Sequence, residues 1–121
     1  MTAFTWVGVA IVGGLGAVAR FLVDDWVSSG TDTKFPMGIF VVNVSGAFLL
    51  GLLDGLMLSG SAMLVAGTAA IGAYTTFSSW MLETHRLAEE GRHATAVLNI
   101  VVSVIIGFAA VALGHLVGKH L

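Results

Sequence analysis

The 121-residue sequence predicts an all-α integral membrane protein of four transmembrane helices, the third with a candidate break near its middle. Three observations carry that expectation. First, 57% of the residues are hydrophobic and 10% charged, with a mean hydropathy of +0.98, whereas soluble domains carry about 25% charged residues. A chain this small cannot bury so much apolar surface, so the surplus must face lipid. Second, the apolar residues gather into four stretches, each near the roughly 20 residues that cross a bilayer core of about 30 Å. Third, the polar run GAYTTFSSW, Gly72 to Trp80, interrupts the third stretch.

The first stretch covers residues 4–26. Its opening, MTAFTWVGVAIVGG, has no basic leader and no evident cleavage site, so it reads as a retained helix rather than a signal peptide. The polar segment SSGTDTKFP, closed by the only proline, Pro36, separates it from the second stretch at 38–58. LSGS then turns the chain into the third stretch, 62–87, and AEEGRH precedes the fourth, 95–117. Little chain remains for a water-soluble part, so residues 1–121 read as a single membrane domain. Glycines punctuate every stretch, among them Gly16, Gly46, Gly51, Gly107 and Gly114. Small residues let membrane helices approach closely.

The charges exclude some functions. A net charge of −2 gives no field that would attract nucleic acid. The absence of cysteine excludes disulfides, thiolate metal sites and thiol nucleophiles. The four histidines show no metal-ligand spacing, and no nucleophile–base set appears, so an enzyme is not expected. With four spans both termini share one side. Lys119 lies on that side, and Lys34, Arg86 and Arg92 on the other, where acids accompany them. The positive-inside rule therefore gives only a weak orientation.

Polar residues at membrane depth are the functional candidates. Arg20, near the end of the first span, can snorkel, pair with Asp24 one turn later, or attract anions to a vestibule. Asn43 can join two helices or present its N–H donors to an anion. Asp54 reads as interfacial, and Glu83 reaches the headgroups or pairs with Arg86. Asn99 and Ser103 are four residues apart on one helical face that Gly107 extends, which is either helix–helix glue or a water-lined path. In GAYTTFSSW, Gly72 costs about 1 kcal/mol of helix propensity, and the hydroxyls can compete for backbone groups. A break there would free carbonyls that must find protein, water or an ion. Half-helix ends at mid-membrane are known ion sites. The competing reading is an unbroken helix with a polar packing face.

The segments GGLGAVARF, GIFVVNVSGAFLLGLL and GAYTTFSSW followed by Glu83 occur in order across nearly the whole chain. Together they resemble the signatures of the small bacterial fluoride channels called Fluc, the CrcB family. The resemblance implies a dual-topology dimer of two antiparallel subunits, either two copies or this chain with a paralogue. It also implies two narrow fluoride pores and a structural Na+ at the dimer interface. It assigns the sodium ligands to the carbonyls of Gly72 and Thr75, the pore lining to Asn43, Phe77, Trp80, Asn99 and Ser103, and the vestibule to Arg20. Three positions depart from the family pattern. Trp80 stands at the second aromatic position of the pore, where phenylalanine is usual. Ile39 replaces a frequent threonine, and Asn99 sits where a tyrosine can occur. The implied task is passive fluoride export across the inner membrane, giving fluoride resistance. The chemistry agrees. Fluoride holds water tightly, so amide and hydroxyl donors and the positive edges of aromatic rings must replace that water. The alternative of a small proton-coupled multidrug exporter needs a carboxylate in mid-span one. Here that span has no acid before Asp24. A third reading is a non-transporting assembly subunit held by glycine packing.

Overall fold

The computed structural model describes residues 2–121. Among them every regular element is helical: α1 (Ala3–Ser29), α2 (Met37–Gly55), α3 (Gly60–Met63), π1 (Leu64–Ile71), α4 (Gly72–Tyr74), α5 (Phe77–Glu89) and α6 (His93–Lys119). Three helices are long and apolar enough to cross a membrane: α1, α2 and α6. The chain is therefore a membrane protein. The third stretch expected from the sequence is not among them. It is divided into α3, π1 and α4, of 4, 8 and 3 residues, and α5, of 13. Neither side of the division reaches the roughly 20 residues of a spanning helix.

α1 has 27 residues, about 40 Å at 1.5 Å per residue. The Thr2 hydroxyl caps its start by accepting the Thr5 N–H at 3.3 Å. Trp6 and Trp26, both exposed, stand at its two ends. They are about 30 Å apart along the axis, which is the spacing of two interfacial aromatic belts. Between them Ile11, Leu15, Val18, Phe21 and Leu22 are exposed and form a continuous apolar surface. The opposite side of α1 lies on π1 and α4.

α2 ends earlier than the sequence reading placed it, at Gly55 rather than at residue 58. The reason is a local turn. The Leu58 N–H bonds the Leu53 carbonyl at 3.2 Å, and the Met57 N–H bonds that of Asp54 at 3.0 Å. This is a Schellman cap, with Met57 in the left-handed position at φ 62° that glycine usually takes. Beyond the turn, the third stretch begins in α geometry and then widens into π1. The sequence carried no sign of that winding. At its far end α5 runs two residues past the predicted limit, to Glu89, and Gly91 at φ 78° turns the chain into α6.

α2 and α6 form the most extensive helix pair. Gly51 and Gly55 on one meet Gly114 and Gly118 on the other, a small-residue pair spaced by four on both helices. A Cβ on Gly51 would lie 2.2 Å from the Val111 carbonyl oxygen, and one on Gly118 would lie 2.3 Å from that of Leu52. The approach is backbone to backbone, so no flexible side chain can yield. Gly16 brings α1 equally close to the third stretch, 2.4 Å from Cβ to the Ala70 carbonyl oxygen.

Candidate functional site

The polar run at 72–80 contains the point at which the helix stops. Thr75 and Thr76 adopt extended backbone, with ψ of 159° and 120°. The last helical bond before them runs from the Thr75 N–H to the Ile71 carbonyl, 2.9 Å. The next donor, the Thr76 N–H, would continue the helix by bonding the Gly72 carbonyl. It is instead given to Asn43 Oδ1 at 2.8 Å, while Asn43 Nδ2 donates to the Thr76 carbonyl at 3.0 Å. One amide thus pairs with both backbone groups of one residue and holds the break open. Thr76 is 7% exposed, so its backbone has little access to other partners. Its hydroxyl in turn accepts the Ser79 N–H at 3.1 Å and caps α5.

This gives Asn43 a different emphasis from the sequence reading. One of its two N–H donors is spent on Thr76, so one remains for the open side. Asn43→Leu would strip the partners from a backbone N–H and a carbonyl, each costing about 1–3 kcal/mol when unmet. The variant is expected to unfold in detergent at a lower temperature and to show faster amide exchange at Thr76. An unchanged midpoint would show that the pairing is dispensable.

The two ends that meet at the break have opposite polarity. The preceding half ends in carbonyls and the partial negative charge of a helix C-terminus, which favours a cation. α5 begins there with N–H groups that have no partner within the helix, the Ser79 N–H being capped by Thr76, and with a partial positive charge, which favours an anion. The Thr75 side chain is turned away from this work. Its hydroxyl donates to the Ile71 carbonyl at 3.0 Å, and its methyl sits where a Cβ on Gly46 would come within 2.2 Å. What Thr75 can offer a ligand is its carbonyl. Tyr74 is tied back similarly. Ser45 Oγ donates to the Val42 carbonyl and accepts from the Tyr74 hydroxyl at 2.9 Å.

The break opens on a groove of about 610 Å³ between α2, the third stretch and α6. Asn43, Gly72, Thr75, Phe77, Trp80 and Ser103 all line it, joined by Thr68 and Gly107. Six of the site residues anticipated from the sequence therefore share one surface. Phe77 is 69% exposed, and its ring meets that of Trp80 edge to face, with centroids 5.7 Å apart at 84°. Ser103 Oγ is buried and has no hydrogen-bond partner among the described residues, a costly state for a hydroxyl. The sequence reading missed Thr76, and with it the pairing that creates the break. Its signal was only the β-branched pair at 75–76.

Two anticipated residues lie elsewhere. Asn99 does not line the groove: it is 1% exposed, and its Nδ2 donates to Thr84 Oγ1 at 2.9 Å. The helical face it shares with Ser103 is correct, but α5 crosses α6 at Asn99 and covers it, while Ser103 lies beyond the crossing. Arg20 sits on α1, outside the groove residues. Among the described residues it makes no ion pair, and Asp24 Oδ1 accepts from the Ser28 hydroxyl instead. Arg86 and Glu83 do pair, at 3.0 Å. Asp54, at the end of α2, is exposed and bonds His115 at 2.9 Å.

The fold and groove define an all-helical membrane protein that presents a broken helix, hydroxyls and aromatic edges to one apolar-walled surface. The family described as "CrcB-like protein, Camphor Resistance (CrcB)" matches residues 7–115, and the chain belongs to it. It is 58% identical over 114 residues to "Fluoride-specific ion channel FluC 2" of Mycolicibacterium paratuberculosis, covering 94% of this chain and 93% of that one. It is 50% identical over 119 residues to the protein of the same name in Mycobacterium tuberculosis strain H37Rv, covering 98% and 94%. The "Fluoride-specific ion channel FluC" of Acidobacterium capsulatum is 45% identical over 123 residues, covering 98% and 97%.

Proposed function

We propose that this chain is a fluoride-specific ion channel for passive fluoride export across the bacterial inner membrane. The observation that carries the reading is the break at Thr75 and Thr76, placed on the groove beside Asn43, Phe77, Trp80 and Ser103. The relatives named as fluoride channels support it over nearly their full length. In this reading α3 to α5 pass the membrane in tandem, making the third of four spans in a single domain. Their irregular backbone is tolerated at depth because protein covers it or an ion satisfies it.

The groove is one wall of a pore, and a second antiparallel copy, or a paralogous subunit, supplies the other. The weak charge bias permits insertion in both orientations. The remaining Asn43 N–H, the Ser103 hydroxyl and the ring edges of Phe77 and Trp80 replace the hydration of the anion. The partial positive start of α5 adds to them. The carbonyls of Gly72 and Thr75 fit a structural Na+ at the dimer interface, since unwound carbonyls at half-helix ends hold such ions. When bound, that cation makes the surrounding potential less hostile to an anion. Arg20 remains the candidate for gathering anions at a vestibule. The groove lining contains no acidic side chain, which counts against the proton-coupled exporter.

Fluoride efflux from liposomes holding the purified chain tests the reading, with chloride as the control. Fast fluoride release and negligible chloride release are expected. A chain that releases neither, even when co-expressed with a paralogue, would exclude it.

A further inference from the structure

Trp80 stands where an unmet N–H would matter. The indole has a single donor and no acceptor. A further free donor, added to those of Asn43 and Ser103, would deepen the hold on a small, strongly hydrated anion, and conduction needs binding weak enough to release. Here the donor is occupied: Trp80 Nε1 donates to the Asn99 carbonyl oxygen at 3.2 Å. Two further bonds close a ring. Asn99 Nδ2 donates to Thr84 Oγ1 at 2.9 Å, and Thr84 Oγ1 donates to the Trp80 carbonyl oxygen at 2.9 Å. Asn99 therefore touches Trp80 twice, directly through its backbone and through Thr84 with its side chain. Both contacts join α5 to α6 at the level of the groove.

We propose that Asn99 and Thr84 are positioning residues for Trp80. They lock the indole with its N–H turned onto the backbone of α6, so that the groove meets only ring carbon. The locked ring keeps its edge-to-face contact with Phe77, at 84° between planes, and the pair offers the anion weak C–H edges in place of a strong donor. The ring of bonds relates three side chains that motif reading treats separately. It also gives the buried Asn99 amide a task distinct from lining the path. Thr84 was not singled out by the sequence, and its role follows from the turn it shares with Trp80. The inference rests on the channel reading for its effect on flux, and on geometry alone for the lock.

The test uses the full chain carrying Trp6→Phe and Trp26→Phe, which leaves Trp80 as the sole indole. Its 15N-labelled indole N–H is followed by NMR in detergent micelles, and fluoride efflux is measured in liposomes. The parent is expected to show one indole resonance protected from solvent exchange. Asn99→Leu and Thr84→Val should each shift it and speed its exchange. They should also slow fluoride efflux by roughly tenfold or more, the scale of a lost buried hydrogen bond, with the assembly still eluting as a single species. Thr84→Ser keeps the hydroxyl and should restore both readouts. If Asn99→Leu does not assemble, Thr84→Val carries the test. An unshifted, still-protected indole in Thr84→Val overturns the lock. A shifted indole with unchanged efflux overturns its role in conduction. A parent that conducts no fluoride sinks the channel reading, and the indole resonance still decides the lock.

Discussion

Phe77→Ile is expected to slow fluoride efflux by at least roughly a hundredfold, a barrier increase of about 2.7 kcal/mol, while the protein still assembles. The asymmetry follows from where the ring sits. Phe77 is 69% exposed in the single chain, so its replacement removes little internal packing. The folding cost is limited to the edge-to-face contact with Trp80, worth about 0.5–1.5 kcal/mol. The site, by contrast, loses a polarised ring edge at the start of α5, beside the break. Isoleucine fills similar space with methyl groups that carry no such quadrupole. Efflux from liposomes with equal protein loading, beside size-exclusion elution in detergent, separates the two effects. Wild-type efflux from Phe77→Ile would remove the aromatic wall from the mechanism.

Gly114→Leu is expected to have the largest effect on folding. A Cβ at Gly114 would lie 2.1 Å from the Phe48 carbonyl oxygen, 2.9 Å from the Leu52 nitrogen and 3.0 Å from the Phe48 carbonyl carbon. All three are backbone atoms of α2, so the whole helix must move away. In lipid there is no hydrophobic gain to hold α2 and α6 together once their close packing is lost. The expected result is loss of the monodisperse species in detergent, and Gly114→Ala should already lower the unfolding midpoint. Gly14→Ala serves as the contrast. No atom of the described residues lies within 4 Å of a Cβ there, and alanine gains about 1 kcal/mol of helix propensity over glycine. Equal stability of the two alanine variants would refute the backbone-contact account.

These two residues show how unevenly function and packing were written in the chain. Phe77 was singled out by the resemblance of the segment GAYTTFSSW to a family signature. The glycines of the α2–α6 contact were visible as small residues, but not their partners. Nothing separated Gly114, pressed on α2, from Gly107, which has nothing within 4 Å and faces the groove. Asn99 and Ser103 were correctly placed on one face of α6, yet one is sealed under α5 and the other lines the groove. π1 was not legible at all, since LVAGTAAI suits an α-helix as well. Met57 was equally silent, being a residue with no preference for the left-handed position it fills.

The sequence by itself determined residence in a membrane, the order and approximate limits of the apolar stretches, the polar run that interrupts the third of them, and the family signature. Each is local, because hydropathy, helix propensity and motif order depend on neighbours along the chain. The tertiary structure alone decided that Asn43 holds the break by pairing with Thr76, 33 residues away. It also decided that the Trp80 indole N–H reaches the Asn99 carbonyl, and that four glycines set the distance between α2 and α6. Periodicity places a side chain on a helical face. Which helix covers that face, and which donor reaches an unpaired carbonyl, is settled only when distant segments pack.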